Sequence, residues 1–348
     1  MAQHDEATND TTAPTSAPQI GGSAEDRLIA TYFRPLATHP GAFDLADDAA
    51  AIATPPGCDV VLTTDGLISG VHFFAEDNAG AVARKALRIN LSDLAAKGAT
   101  PLGFLLSVGL PDGLPPDWLK AFTCGLREDA EHYGCPLLGG DTDHSPGTIT
   151  VHIAALGTVP HGSMVRRKGA RPGDIVVATG TIGDAALGLM LRRDAAAAGR
   201  WKLDAAMRDH LLGRYLLPQP RNALAEALRR HASAAMDVSD GLAGDLAKLC
   251  RVSGVAADVA IGDVPLSPAA HQVISAEPEL IGTVLTGGDD FEVIATLAPD
   301  RFEAFRQEAA AAGVPTTRIG AVREGQGTHF RDRHGEPLTF QRPSYSHF

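Results

Sequence analysis

The stretch from Val60 to Pro101 constrains this chain most, because it joins two hydrophobic periods to acidic residues at set positions. An apolar run, Val60-Val61-Leu62, leads into Thr63-Thr64-Asp65-Gly66. His72-Phe73-Phe74 follows, and then a helix-like segment from Arg84 to Gly98 carrying Asn90-Leu91-Ser92-Asp93-Leu94-Ala95-Ala96. Ala83, Leu87, Leu91, Leu94 and Ala95 recur at helical spacing and form one stripe, and Gly98 and Pro101 stop it. The expectation is a strand that delivers Thr64 and Asp65 at its carboxyl end and a helix that delivers Asp93. Asn90, Asp93 and Lys97 stand three and four apart, off the stripe. A solvated face and a functional face both fit that spacing.

The 348 residues suffice for about two domains. Apolar residues make up 44 %, enough for a sizeable core, while aromatics are only 5 %. With 30 basic and 42 acidic residues the net charge is −12, which argues against a long nucleic-acid track. A nucleotide held through metal ions stays compatible, since the cations supply the positive charge. Cys58, Cys124, Cys135 and Cys250 show no C-x-x-C or comparable metal spacing, so free thiols in a reducing compartment are expected. Met1 to Gly22 is rich in Ala, Thr, Asp, Ser and Gly and carries no apolar stretch; it reads as a disordered tail, not a signal peptide. No segment approaches the ~20 apolar residues of a membrane span, so a soluble, cytoplasmic protein is expected.

Elsewhere the same theme returns: carboxylates at element ends beside Gly, Ser or Thr. Glu25 to Phe33 has helix spacing, and Asp47-Asp48 precede small residues that suggest a strand placing Asp48 beside Asp65. For Asp47 an exposed turn explains the pair equally well. After a strand at Phe104–Leu110 and a helix at Trp118–Tyr133, Leu137-Leu138 runs into Gly139-Gly140-Asp141-Thr142. Two glycines allow close backbone approach to a ligand, and an Asp after them suits a metal. A plain turn explains Gly-Gly-Asp too, but the pattern recurs after Val284-Leu285 as Thr286-Gly287-Gly288-Asp289-Asp290. A strand at Ile149–Val159 precedes a connector, Pro160 to Gly173, holding Arg166, Arg167, Lys168 and Arg171; it reads as an exposed basic loop or a phosphate contact. The domain boundary is placed there, giving a tail 1–24, an N-terminal metal, nucleotide and dimerisation domain 25–160, and a C-terminal domain 161–348. A strand at Asp174–Gly180, a helix from Gly183-Asp184, a helical surface at Asp194–Arg208 and a linker at Tyr215–Arg221 follow. Asp237-Val238-Ser239-Asp240-Gly241-Leu242 then opens a helix, with Asp237 and Ser239 on one side and Asp240 where a carboxylate caps.

Thr64, Asp65, Asp93, Asp141, Asp237 and Asp240 are all hard oxygen donors, with no His/Cys geometry for zinc. So many carboxylates in one pocket repel each other and any phosphate unless divalent ions offset them. Phosphoryl transfer uses such an arrangement. No P-loop, protein-kinase or G-x-G-x-x-G signature is present.

Asp47-Asp48-Ala49, Thr63-Thr64-Asp65, His72-Phe73, the run Asn90 to Ala99, Gly139-Gly140-Asp141-Thr142, Asp237 to Leu242 and Leu285 to Glu292 together resemble the thiamine-monophosphate kinase family. That family lies in the superfamily with aminoimidazole ribonucleotide synthetase and selenophosphate synthetase. The resemblance covers Glu25 to Phe348 and implies an α+β, two-domain, synthetase-like fold. An N-terminal mixed sheet would pair across a homodimer, and the C-terminal domain would be an α/β sandwich. The implied reaction is ATP-dependent, Mg2+-assisted, in-line phosphorylation of thiamine monophosphate to thiamine diphosphate, with no residue assigned as general base and no nucleic-acid or membrane partner. Carried over by motif, Asp48, Thr63, Thr64, Asp65, Asp93, Asp141, Asp237 and Asp240 would be metal ligands. Gly140, Asp141, Arg167 and Ser239 would contact ATP, and His72, Asp289 and Tyr345 the thiamine substrate. Three positions depart from the family pattern: Ala46 for Gly, Gly66 for Thr and Asp289 for Glu. The alternatives are another ATP-dependent synthetase of the superfamily and a non-catalytic nucleotide sensor.

The tail composition cannot offset the entropy of ordering. Deleting Met1 to Gly22 is therefore expected to leave the circular dichroism spectrum and the melting temperature unchanged within error; loss of folding on truncation would refute this.

Overall fold

A computed structural model describes residues 23–340, 342 and 344. The first sheet contains β1 (Cys58–Ile68), β2 (Thr100–Leu110), β3 (Leu137–His144) and β4 (Thr150–Pro160), in the order β1-β4-β2-β3. β4 runs antiparallel to β1 and β2, while β2 and β3 are parallel, so the sheet is mixed as expected. Three helices accompany it: α1 (Ala24–Leu28), α2 (Ala79–Ala96) and α3 (Pro116–His132). Side chains alternate between faces along each strand. Val61, Leu67, Phe104, Leu106, Val108, Val151, Ile153 and Ala155 join Leu87, Leu91, Phe122 and Leu126 in one core beneath α2 and α3. Leu62 on the opposite face is 70 % exposed, and Val60 and Leu105 beside it are 43 % exposed.

α2 begins where the Asn78 side chain accepts the Ala81 amide, at 3.1 Å. Fifteen of its eighteen residues are buried, Lys85, Arg88, Asn90 and Ser92 among them. A helix buried all round has structure on both sides. One side is the first sheet and α3, and the other is the second domain. Asp129 of α3 accepts from Arg88 Nε at 2.5 Å, Arg88 Nη2 at 2.9 Å and Arg84 Nε at 3.1 Å, while Arg88 Nη1 donates to the Pro218 carbonyl at 2.9 Å. The Asn90–Asp93–Lys97 strip is not a solvated face: Asn90 is buried, and the other two are partly covered.

The second sheet is seven-stranded, with the order β11-β10-β7-β9-β5-β8-β6. Its strands are β5 (Ile175–Thr179), β6 (Ala234–Asp237), β7 (Ala256–Ala260), β8 (Val293–Leu297), β9 (Thr316–Arg323), β10 (Gly327–Arg331) and β11 (Pro337–Leu338). Helices cover both faces: α4 (Asp184–Arg193), α5 (Ala197–Arg200), α6 (Ala205–Leu216), α7 (Ala225–His231), α8 (Leu242–Ser253), α9 (Pro268–Ala276), α10 (Ile281–Thr286) and α11 (Phe302–Ala311). Ile182, Leu187, Trp201, Leu211 and Leu246 belong to one core, and Leu224, Leu228, Phe305 and Ala96 of α2 to the other. Strands covered on both faces read as continuous apolar runs, and every residue of β5 and β8 is buried. The whole is an α+β, two-domain fold.

Four local expectations fail. The small residues after Asp48 form no strand: the Ala51 amide donates to the Gly41 carbonyl and the Gly57 carbonyl accepts the His161 amide, but no ladder runs beside residues 49–57. Asp194–Arg208 is not a helical surface: only short helical pieces form there, and Trp201 is fully buried beneath them. Tyr215 is not linker but the buried last turn of α6. Val284-Leu285 lies in α10, so the second Gly-Gly-Asp follows a helix and the recurrence is one of sequence only.

α2 and α3 approach closely enough that glycine is demanded at their crossing. A Cβ on Gly125 would fall 2.4 Å from the Gly80 carbonyl oxygen. Gly125→Ala is expected to push the helices apart and lower unfolding free energy by about 1–3 kcal/mol, as overpacking does. Chemical denaturation measures it, and an unchanged midpoint would show that the contact is not close-packed.

Candidate functional site

The alternation along β1 divides the expected ligands. Thr63 and Asp65 face α2: Thr63 Oγ1 donates to Asp93 Oδ2, and the Asp65 amide donates to Asn90 Oδ1 at 2.9 Å. Both sit within an eleven-residue strand and not at its carboxyl end. Two residues past Asn90, Ser92 Oγ donates to Asp237 Oδ2 at 3.0 Å, and at the helix's carboxyl end Lys97 Nζ donates to the Ala235 carbonyl at 2.9 Å. Asp237 is the buried last residue of β6. Carboxylates of both domains thus face one cleft. Their proximity is visible in their proton affinities. The protein packed around Asp65, then the charges of Asp93 and Asp240, push its carboxyl up to about 6. Burial, then Asp93 and Asp245, raise Asp237, and burial lowers the ammonium of Lys97, against which the Arg167 charge also acts.

Backbone contacts hold the loop after Asp237. Asp245 Oδ2 accepts the amides of Ser239 at 3.0 Å and Asp240 at 2.9 Å, and Lys248 Nζ bridges Asp245 at 2.8 Å and Asp240 at 2.5 Å. Asp240 therefore does not cap α8; its carboxylate is engaged by Lys248, and Gly241 occupies the cap position. The Asp289 amide donates to the Ser239 carbonyl at 2.9 Å. A Cβ on Gly288 would lie 2.4 Å from that same oxygen. The two Asp-bearing loops of the C-terminal domain thus touch backbone to backbone. Arg167 is exposed on the connector, where Ser253 Oγ donates to its carbonyl at 3.2 Å and accepts the Gly169 amide at 3.1 Å.

Thr64, Gly140, Asp141 and Asp48 line a cavity of about 830 Å³ on the outer face of the first sheet, with Ser107 and His152. Gly139-Gly140-Asp141 is not a turn but part of β3, and a Cβ on Gly140 would fall 1.7 Å from the Leu106 carbonyl oxygen of β2. Thr64 opposes Ala154, which opposes Leu105, which opposes Gly139. Three inter-strand steps separate β1 from β3, roughly 14 Å. Within this chain Thr64 and Asp141 do not share one ion.

A third group joins the domains. His72 Nδ1 accepts the Ile68 amide at 3.0 Å. Lys85 Nζ donates to the His72 carbonyl at 3.2 Å and to Asp289 Oδ2 at 2.9 Å, and stands 4.1 Å above the Tyr215 ring. The sequence reading missed Lys85 and Tyr215. Lys85 stands beside the apolar stripe as an ordinary surface lysine would, and only burial on both sides of α2 singles it out. Tyr345 lies outside the described residues. Asp290 and Glu292, from the same run as Asp289, are buried and structural. Asp290 Oδ2 accepts the Gly183 amide at 2.8 Å, and Glu292 holds Thr179, Arg214 and Arg221. Of the departures, Ala46 has φ −107° and ψ 0°, which any residue adopts. Gly66 faces His152, whose Nδ1 would lie 2.0 Å from an added Cβ.

Among the described residues no three His, Cys, Asp or Glu side chains form a ready-made ion cage. Thr63, Asp65, Asp93 and Asp237 nonetheless present hard oxygens in a cleft where their charges repel. Mg2+ usually binds through one or two carboxylates plus substrate phosphates, and this donor set fits that mode.

Residues 46–159 match the AIR synthase related protein, N-terminal domain, and residues 171–333 the corresponding C-terminal domain. The thiamine-monophosphate kinase of Caulobacter vibrioides is 42 % identical over 92 % of this chain and 89 % of its own length. Among solved structures, the thiamine-monophosphate kinase of Stenotrophomonas maltophilia superposes with a TM-score of 0.79 at 37 % identity, covering 90 % of this chain and 96 % of that one. AaThiL complexed with AMPPCP and TMP gives 0.73 at 30 % identity, covering 87 % and 91 %.

Glu292 is fully buried between two guanidinium groups. Glu292→Ala, which strands Arg221 and leaves Arg214 only the Asp290 carbonyl, is expected to cost about 3–5 kcal/mol in denaturant unfolding. A loss below about 1 kcal/mol would show that water replaces the carboxylate there.

Proposed function

Because the chain belongs to the AIR synthase related proteins and, within them, to the thiamine-monophosphate kinases, we propose that it transfers the terminal phosphoryl group of ATP to thiamine monophosphate. The product is thiamine diphosphate. The observation that carries this reading at the site is the cleft itself, where Asp65 and Asp93 of one domain meet Asp237 and Asp240 of the other. The superfamily synthetase and the non-catalytic sensor are not favoured by relatives that share the kinase name over most of their length.

In this reading Thr63, Asp65, Asp93, Asp237 and Asp240 hold Mg2+. Bound there, the ion neutralises phosphate charge that the carboxylates alone would repel. The chain's own part is placement. Asp245 and Lys248 fix the Asp237–Asp240 loop. Arg167 and Ser239 meet the ATP phosphates, and Lys97 supports the same charge from behind. His72 and Asp289 meet the thiamine substrate, with Tyr345 as the further aromatic contact. The acceptor is a phosphate already ionised at neutral pH, so no side chain has to remove a proton, and in-line transfer depends on alignment. Asp48, Thr64, Gly140 and Asp141 lie across the sheet from that cleft, on the outer face, and there serve the ATP and ions of a second copy. Leu62, Val60 and Leu105 lie exposed on that face, and it is where a second copy pairs in the homodimer we propose. The four free cysteines and the use of ATP suit the cytoplasm.

Incubation with Mg-ATP and thiamine monophosphate, followed by chromatography, is expected to show thiamine diphosphate; ATP consumption without that product would overturn the assignment. Turnover should vanish in excess chelator and return when Mg2+ is restored. Asp65→Asn should abolish turnover with the circular dichroism spectrum unchanged, because an amide is a poorer ligand for a hard cation. Near-wild-type rates in that variant would remove Asp65 from the ligand set.

A further inference from the structure

Lys85 is an unusual occupant of a substrate site. Its side chain is 3 % exposed, yet it belongs to α2, at the seam between domains. An ammonium has three donors. One goes to Asp289 Oδ2 and one to the His72 carbonyl, and the charge rests 4.1 Å above the Tyr215 ring. Tyr215 donates to the same His72 carbonyl at 3.4 Å, and its ring meets Phe74 edge-on at 6.2 Å. Lys85 thus ties the His72–Phe74 loop of one domain to the Gly-Gly-Asp loop of the other.

Two features of Asp289 give this tie a consequence. Its backbone sits at φ 71°, a left-handed conformation that Asp tolerates better than most residues with a side chain, and the Lys85 pair and the amide bond to Ser239 fix it there. Further, Asp289 Oδ1 has no hydrogen-bond partner among the described residues, and the side chain is 34 % exposed. The carboxylate therefore offers one oxygen outward while its charge is cancelled at 2.9 Å by a buried cation.

We propose that Lys85 is a positioning residue of the substrate site, which holds Asp289 and cancels its charge so that Oδ1 recognises a hydrogen-bond donor of the substrate and not its cationic ring. In thiamine monophosphate that donor is the pyrimidine amino group. The thiazolium charge lacks a net negative partner here, since a neutral ion pair attracts a third charge weakly. This rests on the reading of Asp289 as a substrate contact.

The test compares the full-length wild type, Lys85→Met and Asp289→Ala, with thiamine monophosphate and with its analogue carrying an oxo group in place of the pyrimidine amino group. Lys85→Met and Asp289→Ala are each expected to raise KM for thiamine monophosphate at least tenfold while KM for ATP stays within about threefold, and their double variant to be no worse than the poorer single. Wild type should prefer the amino substrate over the oxo analogue by at least tenfold in kcat/KM, about 1.4 kcal/mol, and Asp289→Ala should lose that preference. If Asp289→Ala raises KM but Lys85→Met does not, or if wild type accepts both substrates equally, the inference fails while the site stands. If neither variant changes KM, the site reading fails and takes the inference with it. Should Lys85→Met not fold, Tyr215→Leu, which removes the ring beneath the ammonium, must raise KM for thiamine monophosphate alone; equal effects on both substrates would overturn the proposal.

Discussion

Everything in this fold leans on the near-complete burial of α2. A helix enclosed on all sides cannot leave its polar groups unpaired, because each such group forfeits its hydration. Lys85, Arg88, Asn90 and Ser92 are enclosed, and each reaches a partner off the helix: Asp289, Asp129 with the Pro218 carbonyl, the Asp65 amide, and Asp237. Three of those four reach into the second domain. The same bonds that satisfy the helix therefore set the angle and register of one domain against the other. The cleft is a by-product of that pairing. Its carboxylates meet because Ser92 and Asn90 require partners where Asp237 and the Asp65 amide stand.

The architecture was legible to the extent that periodicity reports it. The α2 stripe, the β1 run and the glycine stops identified elements to within a few residues. What periodicity conceals is the second covering. Asn90, Asp93 and Lys97 carry polar atoms, and a polar strip has the same spacing whether water or another domain lies over it. Likewise Trp201 stood in a stretch rich in Ala and Arg, and no local pattern announces that such a stretch folds over a core. The second Gly-Gly-Asp was read as a repeat of the first. In space one lies in a paired strand and the other follows α10, where glycines answer to backbone contact with the neighbouring loop.

The candidate site shows the same division between chemistry and placement. Residue types pointed to hard oxygen donors and phosphate. Which of them share a face followed from the strand period, so Thr63 and Asp65 turn inward while Thr64 turns outward. Asp237 is met by Ser92, 145 residues away along the chain, and no spacing rule spans that distance. Asp245 and Lys248 were passed over because a helix one turn past its start ordinarily shows such an Asp–Lys pair to solvent. Here the pair faces back onto the loop that bears Asp240.

The connector between the domains carries the side chains of Arg166, Arg167 and Lys168 in the open, and its backbone is tied on both sides, the Val165 amide to the Lys97 carbonyl and the Ala235 amide to the Arg166 carbonyl. Lys97 Nζ bonds the Ala235 carbonyl, Asn222 bonds the Leu91 carbonyl, and Ala96 is packed in a core built of C-terminal residues. A protease with a taste for basic residues would find three adjacent sites there. The two fragments so produced would still share a helix, one supplying it and the other enclosing it. Nicked protein should migrate as one particle, in the manner of a complemented enzyme whose covalent continuity at that point is dispensable.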